Sequence, residues 1–512
     1  MTDAPRLLPN RLPVVSNSKL PSFPLLDPPP DEIRRMANAA VELMAEYLGT
    51  IRARRLYPDT SSREIREQLD RSLPAEPTDF EQLLDVIRKP LLEFSRHNGH
   101  PRMFAYVQAP GTAIAAIADL FASTLNANLT AWRSAPAAVE MERVTIDWIK
   151  QIIGFDPNAA GLFVSGGSMA NMAALAAARR AKAPPEISNE GAQSCPNALR
   201  VYASEEVHHS VVKAAALLGI GRDNVRMIGA DEQYKINLEA LVAAVEEDRA
   251  AGHLPICVVA NAGTVATGAF DPLAQIGEIA LRYKLWLHVD AAYGGFAALA
   301  PTTRPLFTFI AQADSVALDP HKWLYLPVDC GCILYRDPEA ARAAFAHEAE
   351  YTRVIGQEAD EAFAFWDYGP ELSRRFRALK VWMLLKGVGL RVLGEAIEKD
   401  LKCARHFESL VQKSEDFEML APVELSIVCF RHLPPQLRDI PAEGNKRRAR
   451  EEKLDLHNER LLLALQHDGS SYLSNARLRG RFALRGCVMN YRTTMRDMEI
   501  LLDDLRRIAV LL

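Results

Sequence analysis

Lys322 lies four residues beyond Leu318 in the stretch Ser315-Val-Ala-Leu-Asp-Pro-His-Lys-Trp323. Ser315 to Leu318 reads as a buried strand. A lysine so near its end is unusual, because burying an ammonium is costly unless it is neutralised or bonded. A desolvated lysine loses its proton more readily and becomes a nucleophile toward a carbonyl, able to hold an aldehyde as an imine. Alone, it reads more simply as a surface lysine just past a strand.

Three other stretches change that balance. Gly161-Leu-Phe-Val-Ser-Gly-Gly-Ser-Met-Ala-Asn171 reads as a strand, a glycine turn and a helix start. Gly166 and Gly167 let the backbone approach a ligand closely, and Ser168 is a natural N-cap. Free N–H groups and the helix dipole there favour a phosphate. Alone this is an ordinary turn, and it matches neither a Walker loop nor a dinucleotide fingerprint. His288-Val-Asp-Ala-Ala-Tyr-Gly-Gly295 ends an apolar strand with an acid. Asp290 either caps the next turn or meets a cation such as a protonated pyridine nitrogen. It precedes Lys322 by 32 positions, room for one strand–helix–strand excursion, which places both at strand ends facing one pocket. In Ser204-Glu-Glu-Val-His-His-Ser210 a histidine either caps a helix or stacks on a flat ring. A phosphate site, an acid for a ring nitrogen, a stacking side chain and an amine for an aldehyde are the four handles of pyridoxal 5'-phosphate.

The elements that must position these residues alternate. Strands are expected at Leu162-Ser165, Arg200-Ala203, Val225-Ile228, Ile256-Asn261, Leu285-Asp290, Ser315-Leu318 and Gly331-Tyr335, with helices between most of them. That rhythm predicts an open, mainly parallel α/β sheet with ligands beyond the carboxyl ends of its strands. Before it lie a proline-rich arm (1–30) and helices with a broad apolar face that need something to pack on. The apolar stretch from Ala109 to Leu129 contains Asp119 and is expected as a buried helix, not a membrane span. After it a long helix is expected to break at Gly394, followed by a smaller α+β region in which Pro434 to Lys453 is a flexible insertion. Across 512 residues, 24% charged and 49% apolar with a net charge of -5, nothing points to a nucleic-acid partner, a membrane or a signal peptide. Seven scattered cysteines read as free thiols in a reducing cytoplasm, and Cys330 and Cys332 lack a zinc or redox spacing, so no metal site is expected.

With Asp319-Pro-His-Lys-Trp323 and His288-Val-Asp-Ala-Ala-Tyr293 in hand, the chain resembles the group II pyridoxal-phosphate-dependent amino-acid decarboxylases from about Asp31 to its end. Arg55-Leu-Tyr-Pro-Asp59, His100-Pro101, Phe104-Ala-Tyr106 and Trp132-Arg-Ser-Ala-Pro136 look most like the aromatic-L-amino-acid branch. The resemblance implies an aspartate-aminotransferase-like (type I) fold with a mainly parallel seven-stranded sheet, an N-terminal helical segment and a small C-terminal α+β domain. It implies a homodimer clasped by the segment 31–103, a cofactor domain over 104–385 and the small domain over 386–512. By position, Lys322 holds the cofactor aldehyde, Asp290 the pyridine nitrogen, and His208 stacks on the ring. Gly166, Gly167, Ser168 and His321 hold the phosphate, with Asp319, Ala292 and Thr264 nearby. Tyr351, on a mobile loop acting across the dimer, returns a proton to Cα. A tyrosine there implies simple decarboxylation to an amine, since relatives with phenylalanine tend to form aldehydes. Tyr106, Val107, Asn128, Thr130 and Trp132 fall where the substrate pocket is expected. Val107-Gln108, Asn128-Leu-Thr130 and Val265 replace bulkier or differently polar residues of the aromatic branch. The expected activity is decarboxylation of an aromatic L-amino acid. The alternatives are glutamate, aspartate or a branched aliphatic substrate, an aldehyde-forming oxidase, or a cofactor-binding protein without turnover.

Overall fold

The computed structural model describes residues 25–69, 71–347, 361–438 and 444–512. The chain forms two compact units. One takes residues up to 50 together with 60–95; the other takes 51–59 and 96–512. The first unit is helical, with Pro30–Thr50, Ser62–Gln68 and Phe80–Val86, the last continuing through Ile87–Glu93. Ser61 and Glu64 close a capping box at the second helix, satisfying two end donors reciprocally. Where Pro90 cannot donate, the last helix widens into a π-turn. Ile33, Val41, Leu83 and Leu91 on these helices are exposed.

The second unit is built on seven strands: β1 (Ala160–Val164), β2 (Leu199–Ser204), β3 (Val225–Ile228), β4 (Leu254–Asn261), β5 (Trp286–Ala291), β6 (Ser315–Leu318) and β7 (Gly331–Tyr335). Their order is β1-β7-β6-β5-β4-β2-β3, and only β7 runs against its neighbours. All seven strands and the mainly parallel sheet follow the expectation from sequence. Every residue of β5, β6 and β7 is buried, as in a sheet covered on both faces, which explains their unbroken apolar runs. The carboxyl ends of β1, β2, β4, β5 and β6 therefore open on one side of the sheet, and the chemistry-bearing residues follow them.

A second, antiparallel sheet combines β8 (Phe417–Met419), β9 (Ile427–His432), β10 (Ser474–Leu478) and β11 (Arg481–Cys487) in the order β10-β11-β9-β8. Here the structure departs from expectation. The helix break falls at Gly389, whose φ of +82° suits glycine, between Ala378–Val388 and Leu390–Gln412. Gly394 stays inside the second helix, where a Cβ would stand 2.8 Å from the Leu299 carbonyl oxygen. The expected flexible insertion is largely helical, with Pro435–Arg438 and Gly444–Asp468. Buried Arg431 pairs with both Glu418 and Glu451, tying the new helix to β8 and β9. The apolar stretch after Ala109 forms the helix Ala113–Leu125, but only one face is covered. Ala115, Ala118 and Ala122 are buried while Leu120, Phe121 and Leu125 are exposed.

Candidate active site

A cavity of about 770 Å³ opens beyond the strand ends, lined by Gly166, Gly167, Ser168, His208, Asp290, Ala292, Asp319, His321 and Lys322 on its inner side. Tyr106, Val107, Ser474, Asn475, Arg477 and Arg485 also line it. The strand-end motifs thus converge, and the two outermost premises, Asp290 and Lys322, share one cavity.

Lys322 belongs to the short helical turn Pro320–Trp323 that follows β6, and its Nζ lies 2.8 Å from Asp319 Oδ2. The turn is held from behind. Trp323 stacks on Tyr293 with ring centroids 5.2 Å apart and 9° between planes, and Tyr325 donates its hydroxyl to Asp400 at 2.8 Å. Asp319 is buried, and its Oδ1 has no hydrogen-bond partner among the described residues. A buried carboxylate oxygen without a donor is costly and marks a place where a donor is expected.

Asp290, next to last in β5, is 7% exposed. Its Oδ1 accepts from the Ala292 N–H at 3.1 Å and its Oδ2 from Asn171 Nδ2 at 2.7 Å. Both donors are neutral, and among the described residues no cation pairs with this carboxylate. His208 fulfils the capping reading of the sequence and stands where the other would need it. It is the N-cap of the helix His209–Leu217, its Nδ1 accepting from the Ser210 N–H at 3.3 Å, and it lines the cavity. Burial pushes its imidazole pKa below the ordinary value, against the opposing pull of Asp290. His321 sets Nδ1 2.7 Å from the Cys330 carbonyl oxygen and Nε2 3.8 Å from Asp319. Burial likewise lowers its pKa.

The glycine turn packs with no room to spare. The helix Gly167–Lys182 starts two residues earlier than expected, with Gly166 rather than Ser168 as N-cap, so Ser168 sits in its first turn. A Cβ on Gly167 would come within 2.9 Å of Ala292 and Asp319. Backbone amides of a helix start, a carboxylate with no cation among the described residues, a lysine and an imidazole lining one cavity fit a phosphorylated pyridine aldehyde.

Four predicted positions lie elsewhere. Thr264 is not in the cavity wall; its hydroxyl is engaged within its own turn, 3.0 Å from Thr267 Oγ1 and accepting from the Ala269 N–H at 3.1 Å. Asn128, Thr130 and Trp132 are also absent from the wall. Asn128 accepts from the Arg374 N–H at 2.8 Å, the Thr130 carbonyl takes the Phe365 N–H, and the Trp132 N–H bonds the Phe363 carbonyl. That stretch is laced to residues 363–374 instead. Tyr351 lies outside the described residues.

Two residues of the site escaped sequence reasoning. Asn171 holds Asp290 from one turn into its helix, and the Asn171 of the glycine motif was the only available signal. Arg485, 4% exposed, donates to the carbonyls of Val265 and Tyr106 and to Ser474 Oγ, with no carboxylate among these partners. Nothing in its local sequence separates it from the other arginines of the last sheet.

Residues 62–433 match the model of the pyridoxal-dependent decarboxylase conserved domain. The chain is 34% identical over 479 residues to an aromatic-L-amino-acid decarboxylase of Bacillus atrophaeus, covering 94% of this chain and 96% of that protein. It is 30% identical over 474 residues to a phenylacetaldehyde synthase of Petunia hybrida, covering 91% of each. Among solved structures, Oryza sativa TDC with PLP and tryptamine superposes with a TM-score of 0.86 at 27% identity, covering 94% of this chain and 98% of that one.

Proposed function

Since the chain belongs to the pyridoxal-dependent decarboxylases, we propose that it removes carbon dioxide from an aromatic L-amino acid and releases the amine. Its cofactor is pyridoxal 5'-phosphate. The observation that carries the reading is that one cavity holds both Lys322 and Asp290, whose carboxylate has no cation partner among the described residues.

When bound, the cofactor supplies an electron-poor ring that takes up the electron pair left at Cα as the bond to the carboxylate breaks. Lys322 would provide the amine that holds the cofactor aldehyde. Asp290 keeps a proton on the ring nitrogen, since a nearby carboxylate raises the pKa of a cation. Gly166, Gly167, Ser168 and His321 would hold the phosphate, and His208 would cover the ring. Tyr351 is the proposed proton donor to Cα, and Tyr106 and Val107 form the aromatic and aliphatic sides of the substrate pocket. With a tyrosine at 351, amine is the expected product rather than the aldehyde named for the Petunia relative.

A substrate with an acidic side chain is the second reading, and one observation favours it. The buried Arg485 guanidinium lines the cavity without a carboxylate partner among the described residues, which suits an anion. The protein is proposed to work as a homodimer in the cytoplasm. The exposed Leu120, Phe121 and Leu125 and the exposed apolar residues of the N-terminal helices support the first, and seven free cysteines, six of them buried, support the second. No helix among the described residues is long and apolar enough to cross a membrane.

Purified protein with added pyridoxal phosphate is assayed against tryptophan, tyrosine, phenylalanine, glutamate and aspartate for amine, carbon dioxide, aldehyde and peroxide. Amine and carbon dioxide from an aromatic substrate support the reading. Turnover of the acidic substrates alone replaces it with the second, and equimolar aldehyde and peroxide refute simple decarboxylation.

A further inference from the structure

Asn171 stands at the centre of a hydrogen-bond network that reaches two histidines from one carboxylate. Its Nδ2 lies 2.7 Å from Asp290 Oδ2 and 2.9 Å from Ser210 Oγ. Its Oδ1 lies 2.9 Å from His288 Nε2. Ser210 Oγ lies 2.7 Å from His208 Nδ1, and Ser315 Oγ lies 2.9 Å from His288 Nδ1 and accepts the Trp286 indole N–H at 2.8 Å. Asn171, Ser210, His288, Asp290 and Ser315 are all buried.

Proton directions in this network follow from its two fixed ends. An ionised carboxylate only accepts, so the group of Asn171 facing Asp290 is its NH₂, and the amide orientation is determined. The amide oxygen then faces His288, whose Nε2 must donate. A neutral His288 therefore accepts at Nδ1 from the Ser315 hydroxyl, which in turn takes the Trp286 N–H, a group that only donates. On the other branch, the second Asn171 N–H enters Ser210 Oγ, leaving the Ser210 hydrogen for His208 Nδ1. That nitrogen also accepts the Ser210 backbone N–H. His208 is left with its hydrogen on Nε2.

We infer that Asn171 is a positioning residue: through one amide it anchors the Asp290 carboxylate and, by way of Ser210, fixes His208 as an Nε2–H donor toward the cavity. His208 then offers the bound molecules a hydrogen to an oxygen or a ring face, and no free base. The inference rests on the proposed function for what His208 and Asp290 meet, but the proton assignment stands on the protein alone.

The test is nitrogen NMR of the full-length protein labelled with ¹⁵N-histidine, with and without pyridoxal phosphate, His208 and His288 being assigned by their glutamine variants. Both are expected as Nε2–H tautomers in both forms at pH 7. In Ser210→Ala, His208 loses its hydroxyl donor, and its Nδ1 signal moves while His288 stays. In Asn171→Asp, the hydroxyl of Ser210 turns to the new carboxylate, so the His208 signal moves in the same sense. Turnover in Asn171→Asp is expected to fall about 10- to 100-fold, comparable to outer-shell partners in metal sites, mainly in kcat. A His208 carrying its hydrogen on Nδ1, or His208 signals unchanged in both variants, overturns the inference. A wild type that shows the tautomers but neither binds pyridoxal phosphate nor forms amine overturns the proposed function instead.

Discussion

At the inner end of the cavity, Gly166, His208, Asp290 and Lys322 each sit within a few residues of the carboxyl end of a strand in the large sheet. At its other side, Tyr106 and Val107 come from a loop before the first strand, while Ser474 to Arg477 and Arg485 come from β10 and β11 of the second sheet. The inner end is set by a parallel sheet whose strand ends meet by topology. The outer wall is an assembly of distant segments held by Arg485, which bonds the backbone of Tyr106, the turn at Val265 and the Ser474 hydroxyl together. A shared cofactor needs the first kind of construction. The second allows the substrate to change without disturbing the chemistry.

The sharpest way to break this contrast is Lys322→Ala. Removing the amine should abolish the visible absorption of covalently held cofactor and cut turnover by about a thousandfold or more, beyond one ordinary acid–base group. The variant should keep its fold, because the turn is fixed by Trp323 and Tyr325 rather than by the lysine. A purified Lys322→Ala protein that keeps the band would show that another lysine holds the cofactor. Asp290→Asn is the next largest. It keeps the size of the side chain and removes the charge proposed to hold the ring proton, so kcat should fall about 10²- to 10³-fold, as for loss of a preorganised electrostatic partner. Steady-state kinetics with saturating cofactor decide it; a near-normal kcat would mean the ring nitrogen does not depend on this carboxylate.

The two ends of the cavity also differ in how far they could be read from sequence. Each inner residue lies in an unbroken stretch of strand followed by turn, so Asp290 and Lys322 could be placed at neighbouring strand ends before any coordinates. Arg485 could not, since its partners Tyr106 and Val265 are hundreds of positions away and the bonds run to their carbonyls, which carry no sequence signal. Asn128, Thr130 and Trp132 were drawn toward the pocket by resemblance, whereas in a single chain their stretch pairs with residues 363–374 through backbone bonds. The long helix was broken at the wrong glycine for a related reason. Gly389 and Gly394 look alike in sequence; only the left-handed backbone at one and the close approach to Leu299 at the other separate them. Strands β8 and β10 are short, β8 half-buried and β10 open at alternate residues, with little apolar pattern to find.

Arg485→Lys sharpens the contrast from the outer wall. Lysine keeps a charge but cannot reach three segments at once. Its KM for the preferred substrate should rise about tenfold, equal to the loss of one charge-assisted hydrogen bond, with the cofactor absorption unchanged. If the rise is confined to glutamate and aspartate, the guanidinium meets the substrate side chain. If it is the same for every substrate, it shapes the wall. An unchanged KM throughout would remove Arg485 from the site.

The smallest effect is invisible at neutral pH and is spread over the molecule rather than gathered at either end. Burial lowers the pKa of His288 behind the cofactor end, of His100 before the Tyr106 loop, and of His432 in the second sheet, each to about 4. Each is hydrogen-bonded in a way that suits a neutral ring. His100 Nδ1 accepts the Arg102 N–H at 3.1 Å, and His432 Nδ1 meets His457 Nε2 at 2.8 Å, where only one of the two nitrogens can carry the hydrogen. The unfolded chain protonates these rings near pH 6.5 and the folded one only near 4, so the unfolded state binds more protons between those values. Stability is therefore whole above about pH 6.5 and declines as pH falls toward 4, by on the order of 1.4 kcal/mol per histidine per pH unit. Urea unfolding at pH 7 and pH 5 should show a lower midpoint at pH 5, and His432→Asn should reduce that dependence by roughly a third without altering turnover. Should the slope be undiminished in His432→Asn but vanish in His288→Gln, the acid sensitivity would belong to the cofactor end after all, and the second sheet would be no more than a spectator.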